Sequence, residues 1–186
     1  MTDIRHLNSE ELDNGLAEIS RSPRDDGPLQ LIVRRPDVEV REDLEIGELL
    51  VESGLMGDNW ERRPSSRTPD RSPHPDRQIT LMNSRVADLV AQDKNRWALA
   101  GDQLFVDLDL SLSNLPPGTR IKIGSAIIEL TAEKHTGCRK FAARFGLAAL
   151  KFVSAPEVQD LRLRGIYAKV VQAGVVKVGD RLQRLA

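Results

Sequence analysis

From residue 104 onward the chain is a succession of short β-branched segments separated by glycine or proline turns, and no stretch leaves room for a long amphipathic helix. Leu104-Phe-Val-Asp-Leu108 alternates, Leu115-Pro-Pro-Gly-Thr119 turns, and Arg120-Ile-Lys-Ile-Gly124 passes through Gly124-Ser125 into Ala126-Ile-Ile-Glu-Leu-Thr131. Gly165-Ile-Tyr-Ala-Lys-Val-Val171, Val175-Val-Lys-Val178 and Arg181-Leu-Gln-Arg-Leu185 follow, with turns at Ala173-Gly174 and Gly179-Asp180. Short strands of this kind bury their apolar faces together, and the economical arrangement is a sheet closed on itself. The pattern predicts a mainly β chain, a β-barrel-like fold with several short helices at its rim. No internal repeat is present.

The first half supplies the remaining pieces. Ser9 to Ser20 reads as a short helix with Ser9 as cap and an acidic first turn. Leu29 to Arg35 reads as a strand stopped by Pro36, with Val38-Glu-Val-Arg41 continuing the extended path. Glu42 to Ser53 fits a helix or an irregular segment. Prolines crowd residues 62–76, which therefore form a long surface loop. Arg77-Gln-Ile-Thr-Leu-Met82 reads as a strand, and Asn83 or Ser84 caps a helix running to about Asp93–Arg96. Cys138 to Phe145 suits a brief helix closed by Gly146, and Leu147 to Val153 a second. The resulting division is an N-terminal arm over 1–28 and a barrel domain over 29–185.

With 40% hydrophobic and 30% charged residues in 186, the chain can bury a real core. Its 27 basic and 28 acidic residues leave a net charge of -1, so no global field draws it to nucleic acid or an anionic membrane. Any anion site must be local. A single cysteine excludes an intramolecular disulfide and cysteine-rich zinc sites, and fits a reduced compartment. Charge in Met1-Thr-Asp-Ile-Arg-His stands where a signal peptide needs an apolar core, and no long uncharged run could span a bilayer. The expectation is a cytoplasmic protein. Arginine outnumbers lysine, which suits planar recognition of phosphate or carboxylate.

The candidate reacting atom is the thiol of Cys138, in His135-Thr-Gly-Cys-Arg-Lys-Phe141. A thiolate is the nucleophile and the soft metal ligand, and Arg139, Lys140 and His135 are the neighbouring groups that favour it. Gly137 before it permits a close backbone approach. The competing reading makes the thiol a buried small hydrophobe. His135 could pair with Cys138, although such pairs are spatial constellations that need a third, orienting group. Arg162-Leu-Arg164-Gly165 could clamp a phosphate. Asp58 and Asp102 each follow a glycine, which suits either ligand hydrogen bonds or turn chemistry. There is no P-loop, no dinucleotide-binding glycine fingerprint and no metal-type pair of histidines.

An ordered set of motifs draws these residues together: Gly54-Leu-Met-Gly-Asp58, Asp76-Arg-Gln-Ile-Thr-Leu81, Ala100-Gly-Asp-Gln-Leu104, Pro117-Gly-Thr-Arg-Ile-Lys-Ile-Gly124, Glu129-Leu-Thr-Ala, His135-Thr-Gly-Cys138, Arg164-Gly-Ile-Tyr-Ala168 and Gly174-Val-Val-Lys-Val-Gly-Asp180. In this order they resemble the MOSC domain, the C-terminal domain of molybdenum cofactor sulfurases, which also occurs as small stand-alone proteins. The resemblance implies a β-barrel with the family cysteine, here Cys138, near its mouth. It further implies sulfur carriage or molybdenum-dependent reduction, a sulfurtransferase-like or reductase chemistry, with Cys138 as molybdenum ligand. Arg77, Lys140, Arg164, Gly165, Asp58 and Asp102 then become candidate cofactor contacts, and Cys138 with His135 the candidate catalytic pair. The implied ligand is molybdenum cofactor, molybdopterin or a related small anion, and the implied protein partner a sulfur donor or acceptor. Pyridoxal phosphate, used by larger members, needs a Schiff-base lysine in a large domain of its own, so no site for it is expected here. The alternative is a non-catalytic ligand- or partner-binding module in which the cysteine is structural.

Overall fold

The computed structural model describes residues 5–185, so residues 1–4 of the expected arm lie outside it. Its centre is an eight-stranded sheet containing β1 (Gly27–Arg34), β2 (Glu42–Leu44), β5 (Ile79–Asn83), β6 (Leu104–Val106), β7 (Arg120–Ile123), β8 (Ala126–Leu130), β9 (Ile166–Gln172) and β11 (Arg181–Arg184). The order is β11-β7-β8-β9-β5-β6-β1-β2, and β11 also pairs with β1 through Gly27↔Leu182 and Pro28↔Arg181. That pairing closes seven strands into a barrel and leaves β2 as an extra strand on β1. A closed sheet has no unpaired edges within its wall. A small second sheet, β10-β3-β4, joins β3 (Ile46–Leu50), β4 (Gly54–Leu55) and β10 (Gly174–Lys177).

Period-two alternation sorts the strand side chains between two cores. In β5, Ile79 and Leu81 enter the barrel interior, whereas Met82 joins the layer outside. In β6, Leu104 and Val106 point inward and Phe105 outward, its ring 5.9 Å from that of Trp97. The outer layer holds α1 (Ser9–Asn14), α2 (Leu16–Ile19), α3 (Ser84–Ala91), α4 (Arg139–Phe145) and α5 (Leu147–Ser154), which contribute Leu12, Val86, Phe141 and Phe152. Each large side chain buried this way contributes about 1.5–3 kcal/mol of transfer free energy. β5 and β6 are parallel, and α3 with the 3-10 segment Lys94–Ala100 forms the crossover between them.

Several local expectations change. Asn8, rather than Ser9, caps α1: its side chain accepts from the Glu11 amide at 3.0 Å while Glu11 accepts from the Asn8 amide at 2.8 Å. The extended path does not continue through Val38–Arg41. Residues 38–39 form a turn, with Glu39 in the left-handed region at φ 62°. Glu42–Leu50, read as helix or irregular, is β2 and β3, because pairing to β1 and β10 satisfies their backbone whatever their intrinsic preference. The helix after Asn83 ends at Ala91, and Gln92 caps it in the left-handed conformation. Between the 3-10 turns Trp60–Arg62 and Pro75–Arg77, residues 63–74 hold no helix or strand. Among the described residues no helix is long and apolar enough to cross a membrane.

Candidate functional site

Two glycine-aspartate dipeptides build the floor of the site. Gly101 closes the 3-10 segment with a left-handed backbone, φ 90°, and donates its amide to the Ala98 carbonyl at 3.2 Å. The turn leaves the Ala100 and Gly101 carbonyls and the Asp102 carboxylate within reach of two arginines. Arg164 donates from Nη1 to Asp102 Oδ2 at 2.7 Å and from Nη2 to the Ala100 carbonyl at 2.9 Å. Arg35, just past the end of β1, donates from Nη1 to the Gly101 carbonyl at 2.7 Å. Its other edge meets Asp58 in a two-fold fork, Nε to Oδ2 and Nη2 to Oδ1, both at 2.8 Å. Asp58 also accepts from the Arg35 and Trp60 amides, both at 3.0 Å.

Both aspartate side chains are fully buried, and the side chains of Arg35 and Arg164 are 5% and 7% exposed. Asp58 and Asp102, expected as cofactor contacts, are not among the residues that line the cleft above them. Their carboxylates are turned to the guanidinium groups they hold.

Above this floor lies a cleft of about 550 Å³, lined by Arg35, Arg164, Thr80, His135 and Tyr167. Its outer wall is cationic: Arg41, Arg63, Arg67, Arg77, Lys140 and Arg144, with Cys138 beside them. Two carboxylates neutralise part of this charge. Glu39 bridges Lys140, at 2.6 Å, and Arg144. Glu133 bridges Arg67, at 3.0 Å, and Arg77, at 2.6 Å. Among the described residues Arg41 and Arg63 pair with no carboxylate; Arg41 instead donates from Nε to the Ala98 carbonyl at 3.3 Å. Burial, and then the charges of Arg144 and Arg35, hold Arg41 below its ordinary pKa. Burial and then Arg35 do the same for Arg63. Like charges crowded in this way repel, and an anion between them relieves the repulsion.

His135 lies over the floor with its side chain 9% exposed, its ring 4.5 Å from that of Tyr167 and Nδ1 3.5 Å from Asp102 Oδ1. That separation is too long for a hydrogen bond. Burial, then Arg164, Arg35 and Arg77, push its pKa well below the ordinary histidine value, so the imidazole is neutral. Burial raises Asp102 against the pull of Arg164. Three atoms here, Asp102 Oδ1, His135 Nδ1 and Arg164 Nε, are buried without a hydrogen-bond partner. Each such atom costs about 1–3 kcal/mol unless something completes it.

Cys138 is exposed at the N-terminus of α4, where its carbonyl accepts from the Ala142 amide at 3.1 Å. Exposure removes the reading of a buried packing cysteine. Among the described residues no hydrogen bond joins Cys138 to His135, so the two share a cleft rather than a bond. Gly137 makes the close approach expected of it: a Cβ there would lie 2.2 Å from Leu150 Cδ1. Gly165 has φ 105°, and a Cβ on it would lie 2.3 Å from the Leu81 carbonyl oxygen. Its place is a backbone one, seating the start of β9 against β5, and it does not line the cleft.

Five of the residues singled out in the sequence, Cys138, His135, Arg77, Lys140 and Arg164, therefore line one cleft. Sequence reasoning missed Arg35, Arg41, Arg63, Arg67, Arg144 and Tyr167. The excess of arginine over lysine was the one signal for the arginines, and it carries no positions.

The model of the MOSC domain matches residues 68–183. The chain belongs to the MOSC domain family. Asp102, His135, Cys138 and Arg164 lie inside the matched segment, whereas Arg35, Arg41, Asp58 and Arg63 lie before it. The MOSC fold is similar to that of the YuaD protein from Bacillus subtilis, with a TM-score of 0.62 and 16% identity over 85% of this chain and 94% of that one. It is also similar to YiiM from Escherichia coli, with a TM-score of 0.53 and 19% identity over 86% of this chain and 70% of that one. YiiM from Geobacillus stearothermophilus gives a TM-score of 0.52 and 16% identity over 87% and 73%. At these identities the likeness is one of fold. No curated protein matches the chain.

Proposed function

We propose that this MOSC domain holds molybdenum cofactor, or a related phosphate-bearing anion, in the cationic cleft, with Cys138 as the metal ligand or as a sulfur carrier. The observation that carries the reading is the cleft itself, where two buried, aspartate-anchored arginines lie beneath a wall of further cations and an exposed thiol stands beside them.

The residues fit such a group. Arg35 and Arg164 are held rigidly, as recognition of an anion by planar guanidinium groups requires. Arg164 Nε is buried without a hydrogen-bond partner. Among the described residues no cluster of three or more His, Cys, Asp or Glu could hold a bare metal ion. The donor set therefore suits a metal that arrives on its own anionic organic ligand and takes one soft protein donor, the Cys138 sulfur. When bound, molybdenum cofactor supplies redox and sulfur- or oxygen-atom exchange at its metal. This chain's residues bind and orient: Arg41, Arg63, Arg77 and Lys140 complement the anion's charge, and neutral His135 and Tyr167 form an uncharged flank to the cleft.

As a sulfur carrier, the Cys138 thiolate attacks the outer sulfur of a donor persulfide, forming Cys138-S-SH and releasing the donor thiolate, with no external oxidant. The test is sulfur loading. A small persulfide donor is expected to charge wild-type protein with cyanide-labile sulfur and to leave Cys138→Ser uncharged. Wild-type protein that takes up neither labile sulfur nor molybdenum would leave a non-catalytic anion-binding module. The same reading places the protein in the cytoplasm, with 1–28 as an arm on the 29–185 domain and a sulfur donor or acceptor protein as partner.

A further inference from the structure

The surroundings of His135 fix which of its ring nitrogens carries the proton. Nδ1 is buried without a hydrogen-bond partner and lies 3.5 Å from Asp102 Oδ1, which is buried and unpartnered in the same way. The other oxygen of that carboxyl accepts from Arg164 Nη1 at 2.7 Å. A guanidinium keeps its charge and, once buried, needs a counter-charge, so Asp102 is a carboxylate and Oδ1 offers only lone pairs. A bare Nδ1 would set a further lone pair against them; an Nδ1–H sets a positive hydrogen there instead. The imidazole is neutral and has one N–H, which leaves Nε2 bare and an acceptor.

Nε2 faces the cleft. It is absent from the buried, unpartnered atoms, and among the described residues no hydrogen bond reaches it, so it meets accessible space. The opposite edge of the ring is the closed one: Nδ1 lies against Asp102, and a Cβ on Gly165, which does not line the cleft, would be 3.3 Å from it. The ring also stacks 4.5 Å from Tyr167, a cleft residue. Around Nε2 the lining is dominated by Arg and Lys, all donors. The one carboxylate of the lining, Glu39, is engaged by Lys140 and Arg144, and the other imidazole, His74, accepts at Nδ1 from the Asp76 amide at 3.3 Å.

We infer that His135 Nε2 determines specificity: it accepts an N–H or O–H carried by the bound anion, so the cleft takes anions that bear a donor beside their charge and rejects equally charged ones that lack it. Asp102 is the positioning residue, holding the proton on Nδ1. An acceptor left facing a ligand's oxygen or fluorine loses its hydration with nothing in exchange, which is the source of the rejection.

The inference rests on the anion-binding reading of the cleft, and the experiment separates the two. In weakly alkaline buffer HPO₄²⁻ carries one O–H, whereas monofluorophosphate, PO₃F²⁻, has the same charge and nearly the same size with no donor. Calorimetric titration of wild-type protein should show phosphate binding at least tenfold tighter than monofluorophosphate. His135→Phe keeps the ring and removes the acceptor; it should bring the two affinities within twofold of each other, whereas a merely structural role would weaken both alike and preserve their ratio. Ring ¹⁵N NMR of wild-type His135 reads the proton directly, with an N–H-type shift expected at Nδ1 and a bare-nitrogen shift at Nε2. Equal binding of the two dianions by wild-type protein, or an N–H at Nε2, would overturn the inference and leave the anion-binding reading standing. Failure of both dianions to bind would remove that reading and the inference with it.

Discussion

Arg35 and Asp58 meet through two parallel hydrogen bonds of 2.8 Å, with side chains 5% and 0% exposed. Removing the aspartate strands a buried guanidinium, and breaking such a pair costs about 3–5 kcal/mol. Asp58→Ala should therefore lower the unfolding free energy by about that amount in urea titrations, and Asp58→Asn by less. Asp102→Ala, which strands Arg164, should behave alike.

Arg41 and Arg63 should show the opposite balance between folding and binding. Each sits among like charges with no carboxylate partner among the described residues, so truncation relieves repulsion. Arg41→Ala and Arg63→Ala are expected to leave the urea midpoint unchanged or raise it slightly, while weakening pyrophosphate binding about tenfold or more, as the loss of one charge-assisted hydrogen bond implies. Calorimetric titration beside denaturation checks both halves.

Glu39 competes with any anion for Lys140 and Arg144. It is exposed, so its ion pairs add little to stability, yet it holds two cleft cations. Glu39→Gln should tighten pyrophosphate binding about threefold to tenfold and reduce stability little; weaker binding would show that the carboxylate is part of the site instead.

The buried His135 gives a pH signature. Its pKa in the folded state is well below the unfolded value, so from about pH 6.5 downward the unfolded chain takes up a proton that the folded chain refuses. Its contribution to stability is present above that pH and is lost as pH falls, by up to about 1.4 kcal/mol per unit. Between pH 6.5 and 5, the stability of His135→Gln should fall less steeply than that of the wild type. Parallel slopes in urea titrations would contradict a neutral, buried imidazole.

The barrel was legible because its strands carry period-two alternation between glycine turns, and Cys138, His135 and Arg164 because they fall in local motifs. Arg35, Arg41 and Arg144 were not. They reach the cleft from the β1–β2 connection and from α4, segments that only closure of the sheet brings together, and an arginine at a strand end reads as a solvated one. β2 and β3 escaped for a related reason. Ile46 is exposed and Gly47 buried, so the apolar pattern contradicts the burial that pairing imposes. The glycine-aspartate turns were visible but ambiguous, since their hydrogen-bond partners are residues far away in the chain.

The central claim, that this cleft holds a molybdenum-bearing anion through Cys138, is tested most directly by the molybdenum content of protein purified at low ionic strength from cells that make the cofactor. Wild-type protein should retain near-stoichiometric molybdenum, and Cys138→Ser should lose most of it while remaining folded. Wild-type protein free of molybdenum, or a serine variant that retains as much as the wild type, would contradict the claim.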